Sequence, residues 1–178
     1  MTAWIAALIA LCVGTRAPAV DPRVPDAIAA VAHLHPLLFD GRRDVVKTAA
    51  LLTAISHREG HFDPAAVGKD GLGESYGLGQ VHETNLKRLH VTREEMLDPY
   101  KNLLATAQLL EESLRVCADA PAEERLTEYA AGRGDCTCPE GVADSRNRTA
   151  LMEYLLRARP VFWAESRETI MKPSHERH

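Results

Sequence analysis

The spacing of apolar residues constrains this chain more than any other feature, because they recur at intervals of three and four over most of its length. The pattern is cleanest after Asp98-Pro99, where Leu103, Ala107, Leu110, Leu114 and Cys117 fall on one stripe. That is the period at which an α-helix turns one face to a core, and Asp98-Pro99 supplies an N-cap and a proline in the first helical position. Pro25 to Phe39 repeats the spacing with Ile28, Val31, Leu34 and Leu38. Asp44 reads as the cap of a helix running to about Glu59, with Val45, Thr48/Ala49, Leu52 and Ile55/Ser56 turned inward. Between Gly60 and Tyr76 the period breaks into a long loop punctuated by Gly60, Gly68, Gly71, Gly73 and Pro64, and long loops inside compact domains are often functional. Helical spacing returns with Leu78, Val81, Leu86 and Leu89, and Thr92 with Glu95 forms a capping box over one short turn through Leu97. Pro121 opens another helix, with Glu123 and Glu124 in its first turn and Ala131-Gly132 at its end. A last one, from about Ser145 to Arg159, offers Leu151, Tyr154/Leu155 and Ala158 and is stopped by Pro160. No strand of convincing period and no internal repeat is legible. The expectation is one all-α domain of about six or seven helices, a scale that 178 residues can support with a single core.

Charge narrows the function classes. The net charge is −4 and the isoelectric point about 6.1, which argues against nucleic acid as a partner, since such binders show a basic face. The first residues read differently from the rest. Trp4 to Val13 is an apolar run, followed by Thr15-Arg16-Ala17-Pro18-Ala19, whose end has the small-x-small form of a leader-cleavage site. No Lys or Arg precedes the run. It is too short for a stable bilayer anchor, and Leu11 before Cys12 speaks against lipidation. Residues 1–19 are therefore expected to be a signal peptide cleaved near Ala19, residues 20–160 the functional domain, and 161–178 a weakly patterned tail. The location is then periplasmic or secreted, with no membrane association beyond the leader. Export leaves Cys117, Cys136 and Cys138 in an oxidising compartment, so one disulfide joining Cys117 to Cys136 or Cys138 is expected. His57 and His61 stand at i, i+4, but Gly60 and the helix end between them speak against a metal pair. No metal and no cofactor is expected.

Glu59 is the residue with the clearest chemical potential. It continues the inward stripe of the second helix, one turn beyond Ile55/Ser56. It also sits at a helix C-terminus, where the dipole disfavours a carboxylate. Partial burial and the dipole both favour the protonated carboxyl, the state a general acid needs. Around it the sequence reads Glu59-Gly60-His61-Phe62-Asp63-Pro64-Ala65-Ala66-Val67. Further on come Ser75-Tyr76-Gly77-Leu78-Gly79-Gln80-Val81, then Asp98-Pro99-Tyr100-Lys101-Asn102-Leu103, then Glu128-Tyr129-Ala130-Ala131-Gly132.

These four segments, in this order, resemble the signature motifs of the soluble lytic transglycosylases, in the goose-lysozyme-like superfamily. The resemblance implies a lysozyme-like helical fold and an enzyme that cuts peptidoglycan glycan strands, acting as a monomer. It also implies roles. Glu59 would protonate the glycosidic oxygen and then recover a proton, and Tyr129 would reach toward it and help set its position. Gln80 would bind sugar amide or hydroxyl groups, Ser75 or the backbone at Gly77 would contact N-acetyl groups, and Gly77 would let the chain pass beneath the sugars. Asp98 and Asn102 would brace the groove, and Phe62 would pack in the core. With no basic surplus, wall recognition must come from the shape of a groove.

The sequence departs from the family pattern at three places. Gly60 replaces the usual Ser after the acid, Gly79 stands where Met often lines the cleft and so suggests a wider subsite, and Ala130 replaces Asn. The implied reaction is cleavage of the β-1,4 bond between N-acetylmuramic acid and N-acetylglucosamine, with the 6-hydroxyl closing a 1,6-anhydro ring. One alternative keeps fold and substrate but hydrolyses, as goose-type lysozymes do, with Asp70 or Glu74 positioning water; Asp63 belongs to its own turn. A wall-binding module without catalysis is the alternative from another class.

Overall fold

The computed structural model describes residues 1–13, 20–132 and 134–171, with side chains described through Ala158. Among the described residues the helices are α1 (Thr2–Val13), α2 (Arg23–Leu34), α3 (Val45–Arg58), α4 (Glu83–Leu89), α5 (Pro99–Val116), α6 (Thr127–Ala131) and α7 (Pro139–Met171). The centre is α3. Asp44 caps it as the sequence implies, its Oδ1 accepting from the amides of Val46 and Lys47 at 3.0 and 2.9 Å. Every residue from Thr48 to Ser56 is buried, so this helix is enclosed on all sides by α1, α2 and α7, while α5 packs on α2. Full burial of Leu51, Leu52 and Ile55 stabilises the fold by about 1.5–3 kcal/mol each. The Thr92–Glu95 capping box forms reciprocally. Asp98 caps α5 through the Lys101 amide at 3.0 Å, with Pro99 in first position.

The helical expectation holds in class but not in every boundary. Two small antiparallel sheets are present: β1 (Leu38–Phe39) with β2 (Arg42–Arg43), and β3 (Val67–Asp70), β4 (Gly73–Tyr76) and β5 (Val81–His82) in that order. Leu38 therefore belongs to a strand rather than to the stripe of α2, and Leu34 and Leu38 are both exposed. The expected loop of 60–76 contains the β3–β4 hairpin, with Val67 opposite Tyr76 and Asp70 opposite Gly73. The apolar spacing at Leu78 and Val81 belongs to a turn and a strand, and α4 begins only at Glu83. The helix expected from Pro121 to Ala131 is split into a 3-10 turn at Ala122–Glu124 and the short α6. Its end is as expected, with Gly132 in the left-handed conformation that terminates helices (φ 67°). Finally, α7 starts six residues early and continues past Pro160. A proline inside a helix removes one amide donor and bends the axis but does not oblige the helix to stop.

The disulfide joins Cys117 to Cys136, with Cα atoms 5.6 Å apart. It ties the end of α5 to the segment leading into α7. The thiol of Cys138 instead donates to Glu140 at 3.3 Å. At the N-terminus, α1 buries Ile5, Leu8 and Ile9 in the same core as α2 and α3, and burial pushes the Cys12 thiol up to about 11. The expected cleavage point near Ala19 lies outside the described residues. Among those described, no helix is long and apolar enough to cross a membrane.

Candidate functional site

Glu59 sits at the C-cap of α3, its amide still bonded to Ile55 at 2.8 Å. The chain then reverses within four residues. Gly60 is buried against the backbone of Gly77 and Leu78: a Cβ added there would lie 2.7 Å from the Gly77 carbonyl oxygen and 2.8 Å from the Leu78 Cα. Two successive side-chain-bearing residues, His61 (φ 51°) and Phe62 (φ 60°), adopt left-handed backbone. That conformation costs about 1–3 kcal/mol per residue and persists only where the surroundings impose it. Here the Phe62 amide donates to Ser56 at 3.0 Å, the Asp63 amide donates to Gly60 at 2.8 Å, and the Phe62 ring is 2% exposed. Phe62 is thus the core anchor the sequence implies, and the reversal delivers Glu59 to the surface on a fixed stem.

The second wall of the site is the turn from Gly77 to Gln80. Gly77 has φ 69°, and a Cβ on it would strike the Asn102 side chain and the Met96 carbonyl, so only glycine fits. Asn102, fully buried on α5, holds this turn. Its Nδ2 donates to the carbonyls of Tyr76 (2.8 Å) and Met96 (3.0 Å), and its Oδ1 accepts from the Gly79 amide (2.8 Å). Asn102 is the groove brace that the family pattern implies. Gly79 needs its own correction. A side chain there would run into Thr106 on α5, so the missing Met leaves no wider subsite; Thr106 occupies the space. Gln80, also left-handed (φ 46°), donates its Nε2 to Gly77 at 2.9 Å and to Ala66 at 3.4 Å. Its amide nitrogen therefore braces the turn, and Oε1 lies against Gly68, where a Cβ on that residue would strike it. Ser75, half-buried on β4, pairs with Gly68 on one side and His82 on the other, and the Ser75 and Gln80 side chains both lie within 4 Å of where a Cβ on Gly68 would stand.

Tyr129 takes a less direct part than expected. Its hydroxyl donates to the Gly79 carbonyl at 2.7 Å, tying α6 to the same turn, and its amide donates to Ser113 at 3.0 Å. No hydrogen bond joins it to Glu59 among the described residues. The two are linked instead by Arg148 of α7, a residue outside all four motifs. The Arg148 guanidinium lies 5.6 Å from the centre of the Tyr129 ring and donates both Nε (2.9 Å) and Nη2 (2.5 Å) to Oε1 of Glu59. Burial of the Tyr129 phenol and the nearby negative charge of Glu59 push its pKa far above the ordinary tyrosine value. One signal could have exposed Arg148: Ser145, Arg148, Met152 and Leu155 form the buried stripe of α7, and an arginine in such a stripe calls for a partner.

The other carboxylates that the sequence offers near Glu59 each hold bonds of their own. Asp63 Oδ1 accepts from the Ala65 amide at 2.9 Å. Asp70 Oδ1 closes the β3–β4 turn through the amides of Leu72 and Gly73. Glu74 bonds Lys69 (2.7 Å), Arg93 (2.8 Å) and the Tyr76 hydroxyl (2.9 Å). The Lys69 and Tyr76 bonds, aided by the charge of Arg93, hold its carboxyl below the usual glutamate value. Among the described residues no three His, Cys, Asp or Glu side chains are placed to hold a metal. An open concavity of about 1050 Å³ lies beside His57, His61 and Phe62, toward Val13 and Val20, but Glu59 does not line it.

A family model described as Transglycosylase SLT domain matches residues 44–150. The matched span begins at the cap of α3 and ends within α7, so it contains every residue of the site above. No curated protein and no solved structure matches the chain.

Proposed function

The chain belongs to the transglycosylase SLT domain family, and from that membership and the site geometry we propose that it is a peptidoglycan lytic transglycosylase with Glu59 as its acid and base. Oε2 of Glu59 carries no bond among the described residues and is not sealed from solvent, so it is the oxygen that faces substrate. In the reaction Oε2 gives its proton to the glycosidic oxygen as the bond to C1 of the muramic residue breaks. The 6-hydroxyl of that residue then adds to C1 and returns its proton to Glu59. The product is a 1,6-anhydro ring, and no water is consumed.

What supports lyase over hydrolase is that both oxygens of Glu74 are taken up by Lys69, Arg93 and Tyr76, while Asp63 and Asp70 each hold their own turn through Oδ1. A hydrolase of this kind needs a second carboxylate free to hold water. The tethered 6-hydroxyl needs no such group, because its attachment to the substrate already supplies proximity. Glu59→Gln should lower turnover of purified sacculi by roughly two to four orders of magnitude, with glycan binding retained. Mass spectrometry of the released muropeptides should find anhydromuramic ends, one water lighter than hydrolytic products and resistant to borohydride. Reducible ends as the main product would favour the goose-lysozyme reading.

Export belongs to the same proposal, since the substrate lies outside the cytoplasm. The support is the apolar run and the Ala17-Pro18-Ala19 ending. Secreted protein should begin near Val20. A recovered N-terminus at Met1 would instead make α1 a permanent part of the core that it covers.

A further inference from the structure

The pairing of Arg148 with Glu59 joins a residue outside the family motifs to one inside them. Arg148 is 7% exposed, and both of its bonds to Glu59 end on Oε1. Asp144, one turn earlier on α7, is 3.8 Å from the same Nη2 and half exposed; it is a lesser partner. A buried ion pair is a poor way to join two helices, because an apolar pair of similar volume usually does at least as well. The α3–α7 contact has such apolar material already: Met152 and Leu155 on the same face of α7 lie in the core with Leu51, Leu52 and Ile55. A guanidinium here is therefore better explained by what it does to Glu59.

We propose that Arg148 is a positioning residue for the acid, fixing Oε1 so that Oε2 alone carries the proton and points it at the glycosidic oxygen. This inference rests on the reading of Glu59 as the acid. The chemistry is compatible with both protonation states. With the proton on Oε2, Oε1 remains a carbonyl oxygen and still accepts both guanidinium bonds. Once Oε2 has given its proton to the departing sugar oxygen, the carboxylate that remains is already paired with Arg148. When the 6-hydroxyl returns a proton, it returns to Oε2, because Oε1 is occupied. The planar fork of arginine, packed on the Tyr129 ring, aims two donors at Oε1 from fixed directions, which a point-like ammonium cannot do. Tyr129 then acts through Arg148: its ring supports the guanidinium while its hydroxyl holds the Gly79 turn.

The test uses the full chain and soluble glycan strands released from peptidoglycan, with kcat and KM measured separately for the native protein, Arg148→Met, Arg148→Lys and Glu59→Gln. Misplacing a reacting group by about an ångström costs on the order of a hundredfold, so kcat of Arg148→Met should fall by roughly ten- to a hundredfold with KM nearly unchanged. Arg148→Lys should recover part of that loss. Adding Arg148→Met to Glu59→Gln should cost nothing further in turnover, since Arg148 acts only through Glu59. Native kcat in Arg148→Met, with Glu59→Gln inactive, would overturn the role of Arg148 and leave the acid in place. An active Glu59→Gln would overturn the reading of the acid itself. Should Arg148→Met not show a cooperative melting transition, Arg148→Lys decides: lowered kcat at constant KM supports the proposal, and native kcat refutes it.

Discussion

Replacing Asn102 with alanine should be among the more damaging single changes to a polar side chain. Asn102 is fully buried and makes three hydrogen bonds, to Tyr76, Met96 and Gly79. A hydrogen bond contributes about 1 kcal/mol net, but each buried partner left unsatisfied carries a penalty of about 1–3 kcal/mol. Alanine would orphan one amide and two carbonyls in a place closed to water, and would leave a small cavity. A destabilisation of about 3–5 kcal/mol follows, and at ~2–4 °C per kcal/mol for a chain of this size the melting temperature should drop by roughly 10–15 °C. Differential scanning calorimetry reads this directly. The loss should reach the chemistry too, because the Gly77–Gln80 turn is the surface against which Gly60 packs beside Glu59. Turnover measured well below the lowered melting point should therefore fall as well. A shift smaller than about 3 °C would mean that the turn holds itself, and the account of Asn102 as its brace would be wrong.

Reducing or removing the Cys117–Cys136 bond, for example with Cys136→Ser, frees a loop of 19-residue separation and should cost about 3 kcal/mol on the chain-entropy view; urea midpoints with and without reductant measure it, and coincident curves would refute it. Gly60→Ser should also destabilise, by about 1–3 kcal/mol of overpacking against Gly77 and Leu78, even though serine is the family's usual residue there; an unchanged or raised melting temperature would show that the backbone gives way freely. For Glu74 the partners lower the carboxyl below 4.5, so its stabilising effect is present above that value and is lost as the pH falls through the lowered one. Hydrogen exchange should show the β3–β4 hairpin loosening on acidification, with Glu74→Gln abolishing the pH dependence; a hairpin equally acid-sensitive in that variant would place the cause elsewhere.

What the sequence made legible is what depends on neighbours within one turn. Asp44, Thr92 with Glu95, Asp98-Pro99 and Gly132 each announce a helix end through groups three or four residues away, and each is found there. The β3–β4 hairpin was hidden because Val67-Gly68-Lys69-Asp70 and Gly73-Glu74-Ser75-Tyr76 have no apolar alternation to read. Only β3 is mostly exposed while β4 is half-buried, and what holds the hairpin is backbone pairing plus the Asp70 turn. Leu34 and Leu38 misled for the opposite reason: they keep the period of α2 yet face solvent. Arg148 is easily passed over because apolar spacing skips a charge, although its place on the α7 stripe marks it, and its partner lies 89 residues away. The four motifs single out Glu59, Ser75, Gly77, Gln80 and Tyr129 as candidates, but only the fold shows that Gln80 spends its nitrogen on its own turn and that Tyr129 bonds Gly79.

The departures from the family pattern acquire a common cause once the packing is considered. Gly60 and Gly79 both lie where main chain meets its neighbour without room for a side chain, against Gly77–Leu78 in one case and Thr106 in the other. Close approach of this kind brings the end of α3 and the Gly77–Gln80 turn together as one rigid unit, since neither can shift without moving the other. It also removes the hydroxyl that a serine at position 60 would have offered beside Glu59. The donors to Glu59 then have to come from another element, and α7 supplies them through Arg148. On this view a glycine after Glu59 and an arginine in the buried stripe of α7 are two parts of one solution. A serine at 60 would force the turn away and at the same time duplicate a donor that Arg148 already provides. Combining Gly60→Ser with Arg148→Met should therefore fail to restore turnover, because the serine cannot reach Glu59 without displacing the wall of the groove.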